Sequence, residues 1–321
     1  MQTFVPKYYF DFKCIADQCK HNCCIGWEID IDDDTYEKYR AVSGKMGERL
    51  ARHIEAEGDP HFKLGNDERC PFLNEKNLCD IITELSEASL CQVCKDHPRF
   101  RNYFDEHIEM GLGITCEEAA RIVLSSELPD AVTLVSLDGS DSNVPMFSER
   151  FTVFDVLLDF EMTLPEKLRV ALHICDGEFQ NKTVSEWITI YSELELLDEA
   201  WKSELELLKD EISDDGNTPL IDYAKSILLH SDLSALLTRL FAYFLYRHLA
   251  DGIDGGDDEG TLGPRAAFCV LSVLMIASVF KAHLEAEGKL TDEQIVDIAR
   301  MYSSEIEYSD ENLDKLIDIC R

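Results

Sequence analysis

Nine cysteines crowd the stretch from Cys14 to Cys116, and no other residues in the chain are so disposed to chemistry. Cys14, Cys19, Cys23 and Cys24 read C-x4-C-x3-C-C. Cys70 and Cys79 read C-x8-C, Cys91 and Cys94 read C-x2-C, and Cys116 stands alone. Thiols this dense serve disulfides, a metal or redox chemistry. The other three cysteines, Cys175, Cys269 and Cys320, are scattered and read as small core or terminal residues.

The compartment narrows the choice. Met1 to Phe12 alternates polar and aromatic residues and has no basic-then-apolar leader. The longest apolar run, Ala266 to Phe280, falls short of the roughly 20 residues a membrane span needs. A cytoplasmic, reducing setting is therefore expected. Stable disulfides are unexpected there, which turns the cysteines toward metal ligation. Structural zinc and iron–sulfur clusters each commonly take four protein ligands, so nine thiols exceed one site. Cys91-x2-Cys94 resembles a zinc knuckle. Adjacent side chains of an extended chain point apart, so Cys23 and Cys24 need not serve one metal. Iron–sulfur is favoured, zinc is the alternative, and free structural thiols rank last. The C-x3-C-x2-C arrangement is not met, because Gly26 stands three residues after Cys23. Neither a G-x-G-x-x-G fingerprint nor a P-loop is present. His21 and His97 lie among the cysteines and read as loop or packing residues. Tyr8, Tyr9, Trp27, Tyr36 and Tyr103 suit a lysine channel, but a core role is the simpler reading.

Charge sorts the partners. The chain has 321 residues, with 64 acids against 30 bases and a net charge of −34. Phosphate binding needs a basic surface, so nucleic acid is excluded as the main partner, and so is an anionic membrane. A lysine-bearing protein segment fits, although solvation accounts for most of the charge. With 45% hydrophobic residues the chain folds, in two domains or one with a lobe.

The elements that must hold the thiols are mixed. A short strand or extended arm leads into Cys14, and Cys14 to Gly26 forms a loop wrapped around something. A short strand covers Trp27 to Ile31. A helix capped by Asp34 and Glu37 runs to Gly58-Asp59-Pro60. Cys70 to Leu73 and Leu78 to Ile81 form a hairpin around Asn74 to Asn77, which brings Cys70 and Cys79 together. A short helix carries Leu90 to Asp96. Thr115 to Glu118 reads as a capping box, so Cys116 opens a helix, where a thiol has a lowered pKa. Ala131 to Leu137 reads as a strand within a transition over 126–148, and the domain boundary is placed in that transition. The remainder is nearly all helical, with a cap at Thr183, breaks at Asp214 to Asn217 and at His230 to Asp232, and a cap at Thr291. Asp251 to Gly263 is an acidic, glycine-rich binding or mobile loop. Ala266 to Glu287 is the central buried helix. The expected architecture is mainly α: a cysteine-rich α+β domain over 1–130, packed on a helical bundle over 131–321, with the ligand cleft between them.

The cysteine pattern resembles the flagellin lysine N-methylase family, part of a wider cysteine-cluster set described as zinc- or iron-chelating. The resemblance is carried by Cys14 to Cys24 with Gly26-Trp27 and Asp30-Ile31-Asp32. It continues through Cys70-Pro71-Phe72-Leu73 with Cys79, Cys91-x2-Cys94-x3-Pro98-Arg99, and Cys116 to Arg121. Tyr243 to Arg247 and Ser304 to Ser309 also look like family segments. The resemblance implies methylation of lysine ε-amines on flagellin, with S-adenosylmethionine as donor. It also implies dependence on an iron–sulfur cluster, 4Fe-4S in type, with ligands among Cys14, Cys19, Cys23, Cys24, Cys70, Cys79, Cys91, Cys94 and Cys116. It assigns no catalytic or donor-binding residue. A non-catalytic iron–sulfur or zinc scaffold, or a redox module, is the alternative.

Overall fold

The computed structural model describes residues 1–321 except 66–67, 141–147, 213–215, 251 and 253–261. Its chain groups into two compact units, Lys13–Phe100 and Met1–Phe12 with Arg101–Arg321. This differs from a division at residue 130. The reason is non-local pairing: strand β1 (Gln2–Pro6) runs parallel to β5 (His107–Leu112) and antiparallel to β6 (Leu134–Ser136). The N-terminal strand therefore belongs with the helices that follow residue 116.

In the thiol-rich unit, α1 (Asp33–Ala41) and α2 (Gly44–His53) replace the single expected helix. Asp32, not Asp34, is the N-cap of α1, its carboxylate accepting from the Thr35 amide at 3.0 Å. Its other oxygen accepts from the Gln92 amide at 2.7 Å, so one carboxylate fixes two helix starts. The short strands β2 (Ile54–Glu55) and β3 (His61–Phe62) pair antiparallel, and an isolated bridge joins Asp30 to His61. The helices α3 (Asp80–Glu84) and α4 (Gln92–Asp96) are short. The core is Ile29, Ile31, Tyr39, Met46, Leu50, Phe62, Phe72 and Ile81, with Cys70 and Cys91 inside it.

A four-stranded sheet follows in the order β4 (Arg99–Tyr103), β5, β1, β6, all of it in the other unit except Arg99 and Phe100. Helix α5 (Glu117–Ser125) follows β5, and α6 (Leu128–Val132) takes the first part of the expected strand, leaving only β6. Then come α7 (Ser148–Leu158), α8 (Leu164–Ile174), α9 (Val184–Ser192), α10 (Glu199–Glu211), α11 (Leu220–Leu228) and α12 (Ser231–His248). The chain closes with α13 (Leu262–Glu287), α14 (Asp292–Ile306) and α15 (Asp310–Ile319). The molecule is thus mainly α with small sheets. The break expected at His230 is present, α11 and α12 meeting at 117°. Part of the Asp214 to Asn217 break and nearly all of Asp251 to Gly263 lie outside the described residues.

Helix α13 extends the apolar run at both ends, to 26 residues. By length and composition it would cross a membrane, yet 89% of its most apolar window is buried within the fold, as in a core helix. Its buried hydroxyls are satisfied locally: Ser272 donates to the Phe268 carbonyl and receives the Tyr302 hydroxyl.

Local chemistry sets several helix starts. Thr183 and Glu186 form a reciprocal capping box at α9, the Glu186 carboxylate accepting from the Thr183 amide at 2.8 Å. Thr183→Ala is expected to destabilise the unit by about 1 kcal/mol, read as a lower urea midpoint with unchanged m-value.

Candidate functional site

Backbone pairing gathers the thiols of the thiol-rich unit. In the loop after Cys14, the Cys19 thiol donates to the His21 carbonyl at 3.2 Å, and the Asn22 side chain accepts from the Cys24 amide at 2.9 Å. Gly26 then adopts φ +95°, a conformation that favours glycine, and its amide donates to the Glu68 carbonyl. The reversal lays Ile25 against Arg69, and the Cys70 amide donates to the Cys24 carbonyl at 2.8 Å. Cys24 and Cys70, 46 positions apart in sequence, thereby become neighbours.

The turn beyond Cys70 is clasped from outside. Arg69 donates to the Asn74 carbonyl at 2.7 Å and to the Asn77 side chain at 2.8 Å, while Leu73 bridges to Cys79. Arg49 donates to the Pro71 carbonyl and the Asp80 carboxylate and lies 5.0 Å over the Phe72 ring. Cys79 is the N-cap of α3 and Cys91 that of α4, so the expected hairpin ends in a helix rather than a second strand. One turn into α4, Cys94 places its sulfur 3.4 Å from that of Cys91.

Five thiols, Cys24, Cys70, Cys79, Cys91 and Cys94, lie in or against one apolar core, with Cys23 hydrogen-bonded to Cys24. They are close enough to feel one another's charge: Cys24 with Cys70 and Cys79, Cys94 with Cys24 and Cys70, and Cys79 with Cys91. Burial pushes the Cys70 thiol up to about 11 and raises Cys79 as well. Within each hydrogen-bonded pair one sulfur is favoured as thiolate, Cys23 by Cys24 and Cys91 by Cys94, and the partner is raised. Tyr39 lies within electrostatic reach of Cys91, Cys94 and Cys79 and donates to the Ser89 carbonyl at 2.8 Å. His97 packs near Trp27, ring centres 6.0 Å apart, and burial lowers its imidazole to about 4, so it is neutral at pH 7.

The other expected ligands stand differently. Cys14 is exposed and Cys19 half-buried. Cys116 belongs to the helical unit, as the N-cap of α5. The expected capping box there is replaced, because Glu118 turns to Arg121 in a two-pronged pair at 2.6 and 2.7 Å. Cys175, Cys269 and Cys320 are buried in the helical unit, as the sequence suggested. Among the described residues, no three His, Cys, Asp or Glu side chains stand as the ligands of one metal ion would. Of the aromatics, Tyr8 is buried in the helical unit, and Tyr103, in that same unit, is exposed.

A buried polar centre escaped the sequence reading. The Glu307 carboxylate accepts from His248 Nε2 at 2.6 Å and from the Tyr243 hydroxyl at 2.9 Å, and Arg247 Nε lies 3.3 Å away. Arg247 also donates to the Tyr243 hydroxyl at 2.8 Å and sits 5.5 Å over the half-exposed ring of Tyr308. Tyr308 and Cys116 feel each other electrostatically. Burial alone would raise the Glu307 carboxyl, but Arg247 and His248 outweigh it and hold it below its ordinary value. The two segments with a family look, Tyr243 to Arg247 and Ser304 to Ser309, are the two halves of this network. A second buried pair joins Arg150 to Glu109 through both carboxylate oxygens.

Residues 133–321 match the family model described as the FliB lysine N-methylase C-terminal domain. A lysine-N-methylase of Salmonella typhimurium (strain LT2) is 29% identical over 139 residues, 40% of this chain and 33% of that relative. A lysine-N-methylase of Salmonella choleraesuis (strain SC-B67) matches to the same extent. The flagellar biosynthetic protein FliU of Salmonella muenchen is 27% identical over 139 residues, 79% of its length. The chain thus covers only 33% of the two lysine-N-methylases it matches. No solved structure matches. The family match falls on the helical part, where the sequence showed only a likeness of character, and not on the nine clustered cysteines.

Proposed function

The chain belongs to the FliB lysine N-methylase family, and on that premise we propose that it methylates lysine ε-amines of flagellin with S-adenosylmethionine as donor, depending on a cysteine-bound iron–sulfur cluster. The observation that carries the reading is the family match over 133–321, which spans the buried polar centre. The relatives' names, lysine-N-methylase and flagellar biosynthetic protein, support the reaction and the substrate.

In this reaction the lysine nitrogen lone pair forms a bond to the methyl carbon. The carbon–sulfur bond breaks, its electron pair returns to sulfur, and the nitrogen proton leaves to water or a basic side chain. The amine must be neutral to attack, and nitrogen, carbon and sulfur must be nearly in line. An apolar surrounding lowers the lysine pKa toward that state. The chain's net charge of −34 favours approach of a lysine-bearing partner. A cytoplasmic setting suits both the free thiols and such a partner.

The gathering of five thiols in and against one apolar core is what supports a cysteine-bound cluster. Cys24, Cys70, Cys79, Cys91 and Cys94 would hold it, with Cys23 beside them, and their surroundings are apolar. Each iron of a cluster takes its own thiolate, so the ligands need not converge on one point as they must for zinc. Bound there, a cluster would supply iron–thiolate bonds and a one-electron couple. The chain's own part is to assemble the thiols by the Cys24–Cys70 pairing and the Arg69 and Arg49 clasps, with Cys70 and Cys91 buried in the apolar core.

The test is mass spectrometry of flagellin incubated with S-adenosylmethionine and the full chain, purified without oxygen. Mass increments of whole methyl groups, mapped to lysines, are expected. Unmodified flagellin, with iron and sulfide retained by the protein, would overturn the reading in favour of a non-catalytic metal scaffold.

A further inference from the structure

We propose that a cleft in the helical unit, lined by α8, α11 and α13, binds a zwitterionic amino-acid ligand that carries a flat ring. A sulfonium methyl donor of the S-adenosylmethionine type belongs to that class, and the inference rests on the methyltransferase reading.

The cavity measures about 620 Å³, within the range of sites for small organic ligands. Its apolar wall is made by Leu168, Phe179, Ile221 and Val270. Phe179 stacks on the buried Trp187, ring centres 6.2 Å apart at 23°, which fixes an aromatic surface beside the cavity.

The charged lining has both signs. Helix α8 contributes Glu166 and Arg169, and α11 contributes Asp222 and Lys225. Opposite charges three residues apart on a helix commonly pair with each other. Here Glu166 is engaged at the helix start, accepting from the Thr163 amide at 2.8 Å and hydroxyl at 2.7 Å. Among the described residues, the side chains of Arg169, Asp222 and Lys225 form no hydrogen bond or ion pair. Arg169 feels the Glu166 charge from beyond ion-pair distance, so two cations and one carboxylate remain without a close partner around the cavity.

Ligand chemistry follows from that set. A polyphosphate nucleotide would press its negative charge against Asp222 and Glu166. An uncharged apolar ligand would cover charged groups without replacing their water. A ligand with one carboxylate, one ammonium and a flat apolar body answers Arg169 or Lys225, Asp222 and Phe179 in turn. All of these residues fall within the segment matched by the family model.

The experiment is calorimetric titration of S-adenosylhomocysteine into the full chain, for the wild type and for Asp222→Lys, Lys225→Glu and Phe179→Ala, with thermal midpoints as folding controls. Asp222 and Lys225 are exposed, so their replacement leaves the fold intact. Wild-type binding with a loss of about tenfold or more in each folded variant is expected. Undiminished binding in Asp222→Lys and Lys225→Glu would overturn the inference. If the wild type still methylates flagellin in that case, the function stands and the donor sits elsewhere. A wild type that neither binds the ligand nor transfers methyl groups overturns both readings.

Discussion

Glu307→Ala is expected to cost about 3–5 kcal/mol of stability at neutral pH, measured by urea denaturation, because it leaves buried charge without its partner. The Glu307 side chain is fully buried and is met by His248, Tyr243 and Arg247 from the last turns of α12. Arg247, 13% exposed, would lose this carboxylate while its guanidinium stays largely buried. Glu307→Gln retains the shape and one acceptor, so its cost is smaller. The pH dependence has a definite sign. The folded carboxyl titrates below its ordinary value, so its contribution is present above the unfolded value of about 4.3. The contribution fades as pH falls through the folded value. The stability gap between wild type and Glu307→Gln should therefore be full at neutral pH and narrow in acid. A gap that is constant from pH 7 down to strong acid would mean that the carboxylate charge contributes nothing.

This network also shows where sequence reading stops. The caps at Thr183 and Thr291 were legible because a capping box is complete within four residues. The break at His230 and the buried character of α13 were likewise written in local pattern. What joins residue 248 to residue 307, or β1 to β5, is contact across long separations, and no periodicity encodes it. Strand β1 looked like an arm leading into Cys14, yet its hydrogen bonds are to residues more than 100 positions away. By the same limit, nothing in the local pattern around Cys116 shows that it caps a helix of the other unit. The single helix expected after residue 35 splits because α1 ends at Ala41 and the chain re-enters a helix only at Gly44, whose φ is +75°. Close approach tightens this corner: a Cβ on Gly47 would stand 2.0 Å from the Val42 carbonyl oxygen.

The thiols allow the sharpest separation by substitution. Cys70→Ser and Cys91→Ser are each expected to abolish bound iron and acid-labile sulfide and to bleach the broad visible absorption of the protein purified without oxygen. Both residues lie inside the apolar core of the thiol-rich unit, and each faces other cysteines of the set. Serine is close in size, so packing is nearly kept, but its hydroxyl is far harder to deprotonate than a thiol and is a much poorer ligand for cluster iron than the thiolate it replaces. Cys14→Ser and Cys175→Ser are the controls. Cys14 is exposed at the start of the loop, and Cys175 is buried in the helical unit, where burial lifts its thiol to about 12. Both controls should retain the wild-type iron and sulfide content. The contrast distinguishes a ligand from a thiol that merely fills space, since loss of packing alone would lower stability without changing the metal bound per folded molecule. Zinc in the wild type, with no sulfide and no colour, would make the thiol centre structural. Iron that survives Cys70→Ser and Cys91→Ser would place the ligands outside this core and remove the reason for its assembly.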